Sequence, residues 1–327
     1  MEKCGDFQRR INVEAKTLVA IGEALIDFIP GQTGCDFNKV ESFSPKCGGA
    51  PANVCGAYAV LGGKARMITQ LGNDPFGHKI EEELKSYNID TTGVCFTEEA
   101  NTALAFVSLS ADGNRTFSFY RKPSADMLLR KEQIKKEWFD DAYAFHFCSV
   151  SLGDFPMKEA HEEAILHAKE QGAIISFDPN LRFMLWEDKK DLHKVVWEFL
   201  PKADILKISD EELEFISGEN DIQKALPILM KGNVKLVLFT CGKNGASAYT
   251  RKENCEVDGL SVEAVDTTGA GDGFIGAFLY ALCKKGIGRE DLESLKIDFV
   301  KEALSFANRF SAESVKHQGA IASYRKL

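Results

Sequence analysis

Short apolar runs alternate along the chain with longer stretches of helical period. Thr17-Leu18-Val19-Ala20-Ile21-Gly22 reads as a buried strand, and Pro51 to Leu61 as a helix with proline in its first turn. Arg66 to Gln70 predicts a strand and Pro75 to Tyr87 a helix. Thr102 to Leu109 and Arg115 to Tyr120 flank Ala111-Asp112-Gly113-Asn114, a hairpin signal with Asp-Gly as the turn. Strand and helix then alternate. Ala142 to Cys148 precedes Asp154 to Gln171, and Ala173 to Asp178 precedes a helix within Asp188 to Phe199. Asp204 to Ile208 precedes Asp210 to Ser217, and Lys235 to Thr240 follows Ile222 to Lys231. Helices from Asp272 to Lys285 and from Asp298 into the Ser311 region end the chain. This order predicts an α/β fold whose mostly parallel sheet is covered on both faces. The hairpin and the segment Phe28 to Lys46 interrupt the rhythm and predict a small accessory sheet.

Composition changes this picture little. The chain has 327 residues, 44% of them hydrophobic, enough for an extensive core. No repeat or Pro/Ser-rich linker divides it. A net charge of −9 argues against a nucleic-acid scaffold, which would carry a basic patch. The start, Met1 to Arg10, lacks the apolar core of a signal peptide, and no run approaches the ~20 apolar residues of a membrane span. The expectation is a cytoplasmic protein with no membrane partner. Nine cysteines without a C-x-x-C pair read as reduced core residues, and neither they nor the six histidines cluster at zinc-ligand spacing. Asn114-Arg115-Thr116 is then a chance sequon.

The candidate chemistry falls at predicted strand ends, where open α/β sheets bind ligands. Gly269-Ala270-Gly271-Asp272 opens an apolar helix. A helix start carries unpaired amides and partial positive charge, and glycine admits a phosphate close to the backbone. A carboxylate in that turn can accept a proton from an attacking hydroxyl. An ordinary strand–turn–helix corner has the same residue types. Asp27, set among Leu25, Ile26, Phe28 and Ile29, is either an edge-strand solvent residue or a ligand to sugar hydroxyls. Gly48-Gly49-Ala50-Pro51-Ala52-Asn53 offers close backbone approach and an amide suited to a diol, or is a plain helix start. Asp74 reads as an N-cap, and Ser209 or Asp210 with Glu212 as capping chemistry. Arg121, Asp178 to Arg182, Lys207 to Glu212 and Thr240 to Gly245 leave further strands. Neither a Walker A motif nor a Rossmann Gly-x-Gly-x-x-Gly is present, so phosphate binding depends on the late glycine turn.

Taken together these motifs resemble the ribokinase-like family of ATP-dependent sugar kinases, and within it the fructokinases. The resemblance rests on Gly48 to Val54, Gly72 to Gly77 and Asp266 to Asp272, with further similarity in Gly22 to Phe28, Phe119 to Asp126, Asp178 to Arg182 and Lys207 to Glu212. It spans about Val19 to Gly319.

The resemblance implies a three-layer, Rossmann-like α/β domain over 1–327, with a sheet of nine or so strands and a β-lid from 28–46 and 94–120. That lid would cover the sugar and could form a homodimer contact. The implied reaction is ATP plus D-fructose giving fructose 6-phosphate. Asp272 would be the general base, and the amides of Gly269, Ala270, Gly271 and Asp272 the anion hole. Asp27, Gly48, Gly49 and Asn53 would hold sugar hydroxyls, with Arg121 and Arg182 closing that side. Lys207, Thr240, Gly242, Gly245 and Asn308 would line the nucleotide, and Glu212 would act on Mg2+ through water. Asp266, Thr268 and Ser323 match a monovalent-cation site such as one for K+. Three departures stand out: Ser209 where many relatives have Asn, Cys47 where Pro is usual, and an ending, Gly319 to Tyr324, without the common Pro. Kinases for 2-keto-3-deoxygluconate or an aminoimidazole riboside are the alternatives within the family. A non-catalytic sugar sensor would be expected to have lost Asp272 or its glycines, which this chain retains.

Overall fold

The computed structural model describes residues 16–32, 34, 37–109 and 115–327. The hairpin turn at 111–114, positions 33, 35 and 36 of the 28–46 segment, and the N-terminal 1–15 lie outside the described residues.

Strands β1 (Thr17–Ile21), β4 (Lys64–Gly72), β5 (Ile89–Thr97), β8 (Ala142–Cys148), β9 (Ile174–Asp178), β10 (Ile205–Ser209), β11 (Leu236–Thr240), β12 (Gly245–Thr250) and β13 (Asn254–Asp258) form one sheet. Its order is β13-β12-β11-β10-β9-β8-β1-β4-β5. All neighbouring pairs from β11 to β5 are parallel, while β12 and β13 add antiparallel at one edge. Alternation along each inner strand feeds two cores. Leu18 and Ala20 face one, with α1 (Ala50–Val60), α2 (Pro75–Ser86), α7 (Ala270–Lys284) and α8 (Ile297–Ser314). Val19 and Ile21 face the other, with α3 (Met157–Glu170), α4 (Lys189–Phe199), α5 (Asp210–Ser217) and α6 (Ile222–Leu229). Because both faces are buried, these strands are continuous apolar runs, which is why they were legible.

A separate sheet of four strands, ordered β3-β2-β6-β7, comprises β2 (Leu25–Pro30), β3 (Phe43–Gly48), β6 (Leu104–Leu109) and β7 (Arg115–Tyr120). Its limits differ from the 28–46 and 94–120 expected. The first hairpin extends to Leu25 and Gly48, which pair with each other. Residues 94–97 belong to the large sheet, where Thr69 to Gly72 pair with Val94 to Thr97. As an edge strand β5 is only half buried, so its sequence lacks a continuous apolar run. The edge strand β13, whose residues are exposed or half-buried, escapes the pattern for the same reason, while β12, lying between β13 and β11, escapes it because Gly245-Ala246-Ser247-Ala248 offers no large apolar side chain. No helix among the described residues is long and apolar enough to cross a membrane.

Candidate active site

A cavity of about 580 Å³ opens at the carboxyl ends of the parallel strands. Asp27, Asn53, Arg182, Lys207, Glu212 and the whole Gly269–Asp272 turn line it, so the two aspartates on which the sequence reading turned share one cleft.

Asp272 sits in the first turn of α7 and is 7% exposed. Its Oδ2 accepts from Asn53 Nδ2 at 2.8 Å and its Oδ1 from Asn180 Nδ2 at 3.1 Å. Burial pushes its pKa up to about 6. The Asn53 hydrogen bond and the Lys207 and Arg182 cations oppose that rise, and the Asp178 charge adds to it. The carboxyl is thus poised near neutrality, as a base working at that pH requires. Below it, Lys207 Nζ lies 2.9 Å from Asp178 Oδ2, both groups buried. Burial alone would depress the lysine, but Asp178 and then Glu212 outweigh it and keep the ammonium charged.

Gly269 caps α7 with φ 74, in the left-handed region that favours glycine. The Ala270 amide closes the turn on Thr267 O at 3.2 Å. A Cβ on Gly271 would lie 3.1 Å from Lys207 Nζ, so the ammonium flanks the turn directly. Helix-start amides and a fixed cation on the same wall suit a phosphoryl group.

Glu23 also lines the cavity, as do Leu25, Asp27 and Phe119 from the small sheet. Gly48 does not line the cavity. Instead a Cβ there would lie 2.1 Å from Asp27 Oδ2, so the missing side chain makes room for that carboxylate. Gly49, at φ 108, passes so close to Glu23 that a Cβ would sit 2.3 Å from its carbonyl. Arg121, expected at the sugar, is not among the lining residues. It lies buried in an ion pair with Asp126, also donating to Val150 O and Ser151 Oγ. A guanidinium taken out of water needs such partners. Arg182 is exposed at the cavity rim and donates to Leu181 O.

Glu212 completes the expected capping box, accepting at 2.9 Å from both Ser209 N and Ser209 Oγ. Its other oxygen accepts from Leu181 N at 2.8 Å, tying the loop after β9 to α5. With three hydrogen bonds accepted out of the roughly four a carboxylate can take, Glu212 lines the cavity with acceptor capacity left, compatible with a hydrated cation. Asp74 is an N-cap, accepting from Phe76 N and Gly77 N.

Thr240, Gly242, Gly245 and Asn308 lie outside the cavity lining. Thr240 pairs with cavity-lining Ser209, Gly245 pairs with Asp258, and Asn308 donates to Asp258 O. Gly242, at φ 50, has open space where a Cβ would be. The C-terminal segment returns behind the anion turn. Asp266 accepts from Thr268 N and Gly319 N, while Ser323 Oγ donates to Ala320 O.

Sequence reasoning did not select Glu23, Phe119, Asp178, Asn180 or Tyr324 as site residues. Glu23 and Asn180 had a usable signal, a polar residue directly beyond a buried strand. Tyr324 had none, because its role depends on the returning chain end.

The pfkB family carbohydrate kinase pattern matches residues 15–327. A probable fructokinase-2 of Arabidopsis thaliana is 43% identical over 93% of this chain and 91% of its own length. A solved Xylella fastidiosa fructokinase with bound ATP superposes with TM-score 0.88 at 35% identity, covering 96% of each chain. A Vibrio cholerae fructokinase with fructose, ADP and calcium bound superposes with TM-score 0.84 at 31% identity, covering 96% of this chain and 97% of that one.

Proposed function

Since the chain belongs to the pfkB family of carbohydrate kinases, we propose that it transfers the γ-phosphoryl group of ATP to the 6-hydroxyl of D-fructose. The observation that carries this is the convergence, in one cleft, of a base poised near neutrality, an amide turn beside a lysine, and a carboxylate-lined end fit for hydroxyls. Asp27, Gly49 and Asn53 hold the sugar, with Gly48 making room for Asp27. Asp272 orients the primary hydroxyl and takes its proton, with Asn53 and Asn180 fixing the carboxylate. The amides of Gly269, Gly271 and Asp272, with Lys207, stabilise charge on the transferring group, while the Ala270 N–H, expected among them, is engaged by Thr267 O.

The triphosphate lies toward Lys207, with the rest of the nucleotide along Thr240, Gly242, Gly245 and Asn308. Glu212 would hold a hydrated Mg2+, which would supply charge neutralisation for the phosphates. A K+ ion between Asp266, Thr268 and the Ser323 segment would stiffen the anion turn. The four-stranded sheet acts as a lid within a single domain, and the exposed aromatics Tyr120 at 61%, on β7, and Phe37 at 42%, in the connection between β2 and β3, suit a homodimer contact. A cytoplasmic location completes this reading.

A ketodeoxy acid would need cations aimed at its carboxylate; Arg121 is engaged by Asp126 and does not line the cavity, which leaves Arg182 and Lys207 there beside the carboxylates Glu23 and Asp27. The test is a panel assay of ATP turnover on fructose, 2-keto-3-deoxygluconate and aminoimidazole riboside. For fructose, phosphoglucose isomerase coupling signals only the 6-phosphate. Turnover of the acid without turnover of fructose would overturn the assignment.

A further inference from the structure

The anion turn is held from behind by two hydroxyls that no mechanism above requires. Tyr324 Oη donates to Gly269 O at 2.7 Å, and Ser311 Oγ donates to Ala270 O at 2.9 Å. These are consecutive carbonyls at the start of α7, reached from two different elements, the chain end and α8. We propose that Tyr324 and Ser311 are positioning residues for phosphoryl transfer, fixing the peptide planes that aim the anion-turn amides. This inference rests on the kinase reading of the site.

The physical ground is the planarity of the trans peptide, in which a C=O and the following N–H point in opposite directions. Holding Gly269 O fixes the Ala270 N–H, which closes the turn on Thr267 O. Holding Ala270 O fixes the Gly271 N–H, and Gly271 lines the cavity. Gly269 O also accepts from Gly273 N at 2.7 Å, so the Tyr324 hydroxyl is a second hold on that carbonyl. Gly269 and Gly271 have no side chains to anchor the turn, and glycine has the widest backbone freedom. Tyr324 is 3% exposed, its ring 5.3 Å from that of Phe310 between centroids. Its fit is close: a Cβ on Gly269 would lie 2.8 Å from the phenol oxygen, and one on Gly273 3.0 Å from the ring. The small residues of the turn and the large one at the chain end are complementary in shape.

The experiment uses the full-length protein and pairs of near-isosteric variants. Ser311→Thr keeps the hydroxyl, whereas Ser311→Val replaces it with a methyl of similar shape. Tyr324→Phe keeps the ring and loses only the hydrogen bond. Rates are expressed per folded molecule, and the wild type must first turn over fructose; if it does not, the kinase reading fails before this one is reached. The expected result is a fall in kcat of about 3- to 10-fold for Ser311→Val and Tyr324→Phe, the worth of one hydrogen bond felt in the transition state. KM for fructose stays unchanged and Ser311→Thr retains the rate. Equal kcat for the Thr and Val variants, or losses confined to thermal stability or KM, would overturn the proposal. If Tyr324→Phe does not fold, the Ser311 pair decides alone.

Discussion

Replacing Asp272 by asparagine separates catalysis from stability with opposite signs. The carboxyl is buried and its pKa is raised from 3.8 to about 6. It therefore binds its proton more tightly in the folded state than in the unfolded one. The stability it contributes is fully present below about pH 4 and is lost as the pH rises through about 6. Above that, the ionised group weakens the fold by about 3 kcal/mol, the free-energy equivalent of the pKa difference.

Asparagine has the same shape and no charge. Its amide would face one of the two donors that Asp272 now accepts, but Asn53 can rotate its own amide, since its Oδ1 has no hydrogen-bond partner among the described residues. Asp272→Asn is thus expected to raise Tm at pH 8 by about 4 °C, scaled from the unfolding entropy of a chain this long. The gain should be roughly halved at pH 5. Turnover should fall about 10²- to 10⁴-fold, the usual cost of removing a general base. The wild type's kcat/KM against pH should show an acid limb near 6, with activity lost as Asp272 takes up a proton, and the variant's should lack it. Calorimetry at the two pH values and a coupled ADP-release assay from pH 5 to 9 make these measurements. A variant within tenfold of wild-type kcat, or one that keeps the acid limb, would refute the base assignment. A lower Tm at pH 8 would refute the desolvation argument.

Gly48→Ala should raise KM for fructose about tenfold or more with a smaller effect on stability, because the new methyl would displace the Asp27 carboxylate; steady-state kinetics and urea unfolding separate the two. Arg121→Met should cost about 3–5 kcal/mol in urea, since Asp126 and Glu23 would stay buried without their cation. Lys207→Met should move the acid limb of the rate profile upward, as Asp272 would lose a cation and keep the Asp178 charge. An unmoved limb in that variant would show that the Asp178–Lys207 pair does not reach the base.

Legibility followed burial. Strands such as β1 and β11 are apolar along almost their whole length because both faces are covered, so local pattern alone reveals them. The edge strands β5 and β13 are half polar and β12 is built largely of small residues, so the membership of all three depends on which neighbour they pair with. Among site residues, Asp27, Asn53 and Asp272 stand in glycine-bearing or apolar contexts that mark them, and the structure brings them to one cavity. Arg121 was marked equally well by its position after β7, yet it lies behind the wall. Nothing in a sequence tells whether a guanidinium faces a ligand or a buried carboxylate such as Asp126.

The chain by itself determined the α/β order, the glycine turn at a helix start and the inventory of carboxylates and amides, because each depends on neighbours a few residues away. Tertiary structure alone decided which carboxylate is desolvated and therefore basic near neutrality. It likewise decided that Lys207 neutralises Asp178, and that the chain end returns to brace Gly269. Those are distances between residues far apart in the chain, and a pKa or a peptide-plane orientation is set by what lies within a few ångströms in space.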